Sequence, residues 1–267
     1  MTKAKRSSRS ASRRPRQSAR SASRAPARPL ITTVIFDLDD TLYDCFGQRV
    51  SAAHLRAAEA MASAGLPASA EEIFQVRMQA FADDPQLTRI DEHVCEHFAV
   101  PPAERAKLVR AARLAFFTLP VDKLTLFPGT LPVLRGLKQR GVRIFVVSFG
   151  DPDTQRAKVA ALGLDREPSI DHVFYADTSH VMTKEGFFRS ILRNAESDPQ
   201  RVLVVGDRPS SEIRAGKSLG MHTARLRGGE FARLKPQSPD EQADFEISKI
   251  DAVLKLPFEF GKSRLSS

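Results

Sequence analysis

Residues 30–41 read LITTVIFDLDDT, a β-branched and apolar run from Leu30 to Phe36 that leads straight into Asp37, Asp39, Asp40 and Thr41. Such a run predicts a strand buried on both faces, as in a parallel sheet, with charge loaded on its carboxyl end. The same form recurs at 142–147 (VRIFVV, then SFGD) and at 201–205 (RVLVV, then GDRPSSE). Shorter apolar runs at 172–176 and 222–226 supply two further strands. Helical patterns separate them. One runs from Thr130 to a stop at Gly141, and a second from Pro152 to Leu162 with Gly163 behind it. Two more cover Thr183–Ala195 and Pro209–Leu219, the latter with Gly220 just past its end. Strand and helix alternate, so the expected fold is α/β, a doubly wound parallel sheet covered by helices on both faces.

One stretch breaks the alternation. Residues 46–120 hold no convincing strand but show helical patterns at 51–64, 70–82, 87–98 and 103–118, with turns at Gly65-Leu66-Pro67 and Val100-Pro101-Pro102. The expected organisation is a tail over 1–29, a core over 30–45 and 121–267, and an all-helical cap inserted at 46–120. Ligand sites in open parallel sheets lie beyond the carboxyl ends of the strands. An insertion leaving the first strand at that end is placed to act as a lid.

Composition narrows the possibilities. The 267 residues are 42% apolar, enough for a sizeable core, and no stretch approaches the roughly 18 uncharged apolar residues of a membrane span. Two cysteines, Cys45 and Cys95, make no disulfide framework, which suits a reducing compartment and a cytoplasmic location. The net charge of +9 is local: residues 1–29 hold ten basic residues and no acidic one, leaving 31 basic against 32 acidic over 30–267. The body is therefore near neutral and carries no general nucleic-acid footprint. The tail is rich in Arg, Ser, Ala and Pro and is expected to be disordered. Its readings are a solubilising extension, a contact for nucleic acid or an anionic surface, or a targeting segment, the last opposed by Pro15 and Pro26 and by the lack of an apolar stripe.

The strand ends gather the chemistry. The first offers Asp37, Asp39, Asp40 and Thr41, the second Ser148, Phe149 and Gly150, the last Gly206, Asp207 and Glu212, while Lys184 opens the helix before that last strand. Carboxylates converging without compensation repel and raise one another's pKa. A divalent cation resolves this, and an all-oxygen donor set with room for a phosphate suits Mg²⁺. Other patterns carry less. His93-Val94-Cys95-Glu96-His97 fits HxxEH, but it lies in the cap without a third ligand and reads as a helix face. RLRGG at 225–229 reads as a loop.

VIFDLDDTL, VVSFG and VVGDRPSSEI resemble the first, second and acidic fourth motifs of the haloacid dehalogenase-like superfamily. LFPGTLPVLRGLKQRG, AKVAALGL and AGKSLGM are similar to its framework segments, so the resemblance spans about residues 31–227. It implies a Rossmann-like hydrolase core with a helical cap between the first two motifs, and the chemistry of a small-molecule phosphatase. On that resemblance Asp37 is the nucleophile and Asp39 the general acid and base. Mg²⁺ is held by Asp37, the Asp39 carbonyl and Asp207, with Glu212 as an acidic orienter. Ser148 and Lys184 bind the phosphoryl group, the Gly150 amide assists, and Thr41 orients Asp39.

Three positions depart from the pattern: Phe149 where the family often has Asn or Asp, TKEGFF around Lys184, and Glu212 in place of Asp. Lys158 is the alternative to Lys184, in a helix expected to pack beside the sheet. The implied activity is hydrolysis of a small phosphorylated metabolite. Alternatives are a phosphosugar mutase, which keeps both aspartates, and a regulatory protein on the same fold. A dehalogenase is disfavoured, because the resemblance implies that those enzymes lack the second aspartate.

Overall fold

The computed structural model describes residues 1, 28–84, 87, 89–177, 183–194 and 197–262. The tail from 2 to 27 and His180 lie outside the described residues. The main sheet has six parallel strands in the spatial order β4-β3-β2-β5-β6-β7. They are β2 (Thr33–Phe36), β3 (Arg143–Phe149), β4 (His172–Ala176), β5 (Val202–Gly206), β6 (His222–Leu226) and β7 (Phe245–Ile247). A small separate pairing joins β1 (Leu30–Ile31) to β8 (Glu259–Phe260). The run 30–36 is thus two short strands around Thr32, whose amide donates to the Arg201 carbonyl at 2.9 Å. Neither β7 nor β8 is legible in the sequence, since strands of three and two residues are too short for a pattern.

The sheet is buried because its strands are apolar on both sides. All four residues of β2 and all five of β5 are buried. One face packs against α5 (Thr130–Gln139) and α6 (Pro152–Ala161) through Val133, Leu134, Leu137, Val159 and Leu162. The other packs against α7 (Lys184–Asn194) and α8 (Arg214–Ser218) through Phe187, Phe188, Ile191 and Ala215. The helix expected over 209–219 opens with a wide π turn at Pro209–Ile213 before α8 begins. Asp151 caps α6 by accepting from the Thr154 amide, and Gly163 ends it with φ +69°, a left-handed conformation in which a Cβ is strained.

Between β2 and β3 the chain forms α1 (Ser51–Ser63), α2 (Ala70–Asp83), α3 (Ile90–His97) and α4 (Pro102–Phe117). These helices pack on one another around their own apolar cluster of Ala57, Met61, Ile73, Val94, Leu108 and Ala112. Ser69 and Glu72 form a reciprocal capping box at the start of α2.

Register then assembles the site. Phe36 stands level with Val146 of β3 and Val205 of β5. Asp37, Ser148 and Asp207 therefore emerge at one end of the sheet. The chain runs outward from β2 through β3 to β4 and returns to add β5 on the other side, so this end is a topological switch point.

Candidate active site

Asp37, Asp207 and Glu212 each bring a carboxylate oxygen to within 4.8 Å of the others, and this is the only such acidic group among the described residues. All three are buried. Lys184 reaches in from the first turn of α7, its Nζ 2.5 Å from Asp37 Oδ1 and 2.7 Å from Glu212 Oε2. Two of the three carboxylates, Asp37 and Glu212, share that ammonium. Burial pushes Asp37 up to about 7, against the pull of Lys184 and helped by the charges of Glu212 and Asp39. Burial, then the charges of Glu212, Asp37 and Asp40, push Asp207 well above the carboxylate range. Burial works against Glu212 too, but Lys184 outweighs it and holds Glu212 low. Burial likewise opposes the charge on Lys184, and the two carboxylates override it and raise its pKa.

Two orphan atoms mark the same place. Asp207 Oδ2 and Ser148 Oγ are buried and have no hydrogen-bond partner. Buried polar atoms are rarely left unpaired, and each costs about 1–3 kcal/mol. A cation accepting Asp207 Oδ2 and a phosphoryl oxygen accepting from Ser148 would satisfy both. The donor set is all oxygen, so these residues fit Mg²⁺. The backbone is shaped for it as well: a Cβ at Gly206 would collide with Glu212 Cγ, so only glycine lets that carboxylate fold back over the strand end. Glu212 is fixed there by the Arg208 amide at 2.7 Å.

Asp39 occupies a second, neighbouring environment. It accepts from Tyr43 Oη at 2.7 Å, from Lys158 Nζ at 2.9 and 2.8 Å, and from Gln155 Nε2 at 3.3 Å. Burial raises its pKa, but the Lys158 charge and the hydrogen bonds of Lys158 and Tyr43 outweigh that and hold Asp39 below the usual range. Helix α6 does lie beside the sheet, yet Lys158 turns its buried ammonium into the site instead of serving as helix surface. Lys184 and Lys158 are therefore both present, one on each aspartate. The signal was in the helix pattern: Gln155 and Lys158 lie on the same stripe as buried Val159 and Leu162, where an apolar residue is expected.

Other predicted residues stand differently from expectation. The Thr41 hydroxyl donates to Asp37 Oδ2 at 3.4 Å and does not orient Asp39, a task that Tyr43 takes. The Gly150 amide donates to the Ala176 carbonyl at 2.9 Å, so it is engaged in the sheet edge and not free for a phosphate. Phe149 is exposed, and its carbonyl accepts from Gln155 Nε2 at 2.9 Å. His97 lies edge-on to Phe98 at the end of α3, and Cys95 between the two histidines is buried.

Two residues without an assigned role hold the scaffold. Asp40, at φ +54°, accepts from the Phe46 amide at 2.9 Å and from the Glu230 amide at 3.1 Å. Arg225 lies in β6, not in a loop, and is buried; it donates to the Asp207, Phe231 and Leu234 carbonyls at 3.0, 2.7 and 2.8 Å. Beside Asp39 opens a cavity of about 640 Å³, roofed by α1, α2 and α4 and floored by Asp39, Gln155 and Lys158. Its size is that of a small-molecule pocket.

Comparison with known proteins agrees with this geometry. A family model for haloacid dehalogenase-like hydrolases matches residues 31–220. The glyceraldehyde 3-phosphate phosphatase of Methanopyrus kandleri is 28% identical over 244 residues, covering 87% of this chain and all of that protein. The enzyme of that name from Methanocaldococcus jannaschii is 27% identical, covering 85% of this chain and 97% of its own. Among solved structures, the magnesium-bound hydrolase YfnB of Bacillus subtilis superposes with a TM-score of 0.58 at 18% identity, over 85% of this chain and 98% of that one. That likeness establishes the fold alone. No helix among the described residues is long and apolar enough to cross a membrane.

Proposed function

We propose that this protein, which belongs to the haloacid dehalogenase-like hydrolases and hydrolyses phosphoric monoesters, is a Mg²⁺-dependent phosphatase of a small phosphorylated metabolite that works through an aspartyl-phosphate at Asp37. The observation that supports this most is the group of Asp37, Asp207 and Glu212 around the Lys184 ammonium, with Asp207 Oδ2 and Ser148 Oγ buried and unpaired. Asp37, Asp207 and the Asp39 carbonyl would hold Mg²⁺, with Glu212 orienting the set. When bound, the ion offsets negative charge on the phosphoryl oxygens and lets the carboxylates stay ionised together.

The chain's own groups do the rest. Lys184 and Ser148 bind the phosphoryl oxygens and hold phosphorus before Asp37. Asp37 attacks phosphorus; an O–P bond forms on the carboxylate while the bond to the leaving oxygen breaks. Asp39 gives that leaving oxygen its proton. Lys158 keeps Asp39 ionised at rest, and the negative charge of an arriving phosphate ester raises its pKa again, so that it takes up the proton it must donate. In the second half, ionised Asp39 removes a proton from water, which attacks phosphorus and frees Asp37 with release of phosphate. Tyr43 and Gln155 keep the Asp39 carboxylate aimed through both halves. Relatives named for glyceraldehyde 3-phosphate make phosphosugars the first substrate class to try.

The test is phosphate release across about a hundred phosphomonoesters, with and without Mg²⁺, on the full chain and on Asp37→Asn. Mg²⁺-dependent release that vanishes in Asp37→Asn is the expected result. No release from any ester, or release that survives Asp37→Asn, would overturn the reading.

A further inference from the structure

We propose that the cap wall of the cavity is a second recognition point for substrate, in which Arg77 and His54 bind an accepting oxygen, best a carboxylate, on the organic part of the phosphate ester. This rests on the phosphatase reading above and specifies the substrate class of the same site.

Both residues line the cavity whose floor is Asp39 and Lys158. Both are almost wholly buried, with 1% of Arg77 and 3% of His54 exposed. Each keeps a nitrogen without a partner: Arg77 Nε and His54 Nδ1 are buried and form no hydrogen bond. A guanidinium is among the groups least often buried without full pairing, and an unmet donor on it costs more than on a neutral group. Arg77 is anchored on its far side by an ion pair with Asp91 and a weak contact from Nη1 to Met61 Sδ at 3.8 Å. That anchor fixes the guanidinium plane and leaves Nε uncommitted. His54 is packed edge-on to Phe116 at 5.1 Å and beside Phe81 at 5.3 Å between ring centres.

The surroundings specify the rest of the ligand. Phe81 and Phe116 also line the cavity, their rings packed on His54, and give it an aromatic wall. An ester with a flat or apolar body fits against that wall, its phosphate at Asp37 and its accepting oxygen at the cap. A site that buries polar groups against a substrate oxygen discriminates steeply against analogues lacking it, because the groups are then left unpaired. Here the discrimination would be set by the cap and the chemistry by the sheet.

The experiment compares phenyl phosphate with its 4-carboxy and 4-(2-carboxyethyl) derivatives in steady-state kinetics on the full chain with Mg²⁺. The matching phenylphosphonates, which cannot be hydrolysed, are titrated by calorimetry. At least one carboxylated member is expected to exceed the parent by about tenfold or more in kcat/KM and in affinity. The advantage is expected to collapse to about twofold in His54→Phe, which keeps the ring packing, and in Arg77→Met. Should Arg77→Met not fold, His54→Phe alone decides. Equal values for parent and carboxylated probes, or an advantage that persists in the variants, would overturn the proposal. Failure to hydrolyse any of the esters would count against the phosphatase reading instead, and the phosphonate titrations would still judge this one.

Discussion

Lys158 Nζ lies 2.8 and 2.9 Å from the two carboxylate oxygens of Asp39, bridging a helix and the tip of the central strand. A buried ammonium in this position sets both the charge and the direction of the Asp39 carboxylate. Lys158→Met is expected to lower kcat by about a hundredfold, the scale of general acid–base catalysis, with KM for the phosphate ester changed much less. Tyr43→Phe, which removes one donor among several, is expected to lower kcat by about tenfold at most. Steady-state kinetics on the two variants checks the order. A Lys158→Met enzyme as fast as the parent would remove Lys158 from the mechanism.

Gly206 gives way to Glu212. In Gly206→Ala the added methyl meets Glu212 Cγ and forces the carboxylate off the strand end. The chain should still fold, because β5 is apolar and paired on both sides. Mg²⁺ affinity, measured by calorimetry, is expected to drop by about ten- to a hundredfold, as when the support of a metal ligand is lost. Unchanged affinity would mean that Glu212 plays no part in orienting the ion.

Metal binding is expected to depend on pH. Asp37 is raised to about 7, first by burial, and Asp207 is raised in the same way. Below pH 7 Asp37 carries a proton that a cation has to displace, and the rise at Asp207 acts in the same direction, so affinity falls as pH falls. Calorimetric Kd for Mg²⁺ is expected to weaken by about tenfold or more between pH 8 and pH 6. A Kd independent of pH over that interval would contradict the proposed ligand set.

The cap carries its own pH signature. Burial, with the charge of Arg77 as the lesser cause, lowers His54 from 6.5 to about 4. Between those values the unfolded chain binds a proton that the folded chain refuses, so stability is full above pH 6.5 and is lost as pH falls. The loss attributable to His54 is about 2 kcal/mol at pH 5. Urea unfolding at pH 7 and pH 5 is expected to show a larger drop for the parent than for His54→Phe. Identical drops would show that His54 is not the group responsible.

Much of this is legible in the sequence, and the reasons are local. A strand inside a parallel sheet has to be apolar throughout, so LITTVIF and RVLVV announce themselves, and the acids behind them fall at the same end of the sheet. The helices of 46–120 follow from periodicity and from their turns. A lysine in a helix ordinarily faces water, and only the place of Lys158 on the stripe of Val159 and Leu162 marks it otherwise. The partners of Thr41 and Gly150 are hidden in the sequence for another reason. Which way a hydroxyl or an amide donates is decided by neighbours distant in sequence, here Ala176 in the case of Gly150. The Arg77–His54 pair lies 23 residues apart on two helices, and no spacing rule relates them.

The carboxylate of Asp40 takes one amide from Phe46, where the chain departs for the helices, and one from Glu230, beyond β6. Departure point and far loop are thus moored to a single post close to Asp37. Any foreign helices transplanted onto this sheet therefore have to keep proline out of position 46, because its ring nitrogen has no hydrogen to give.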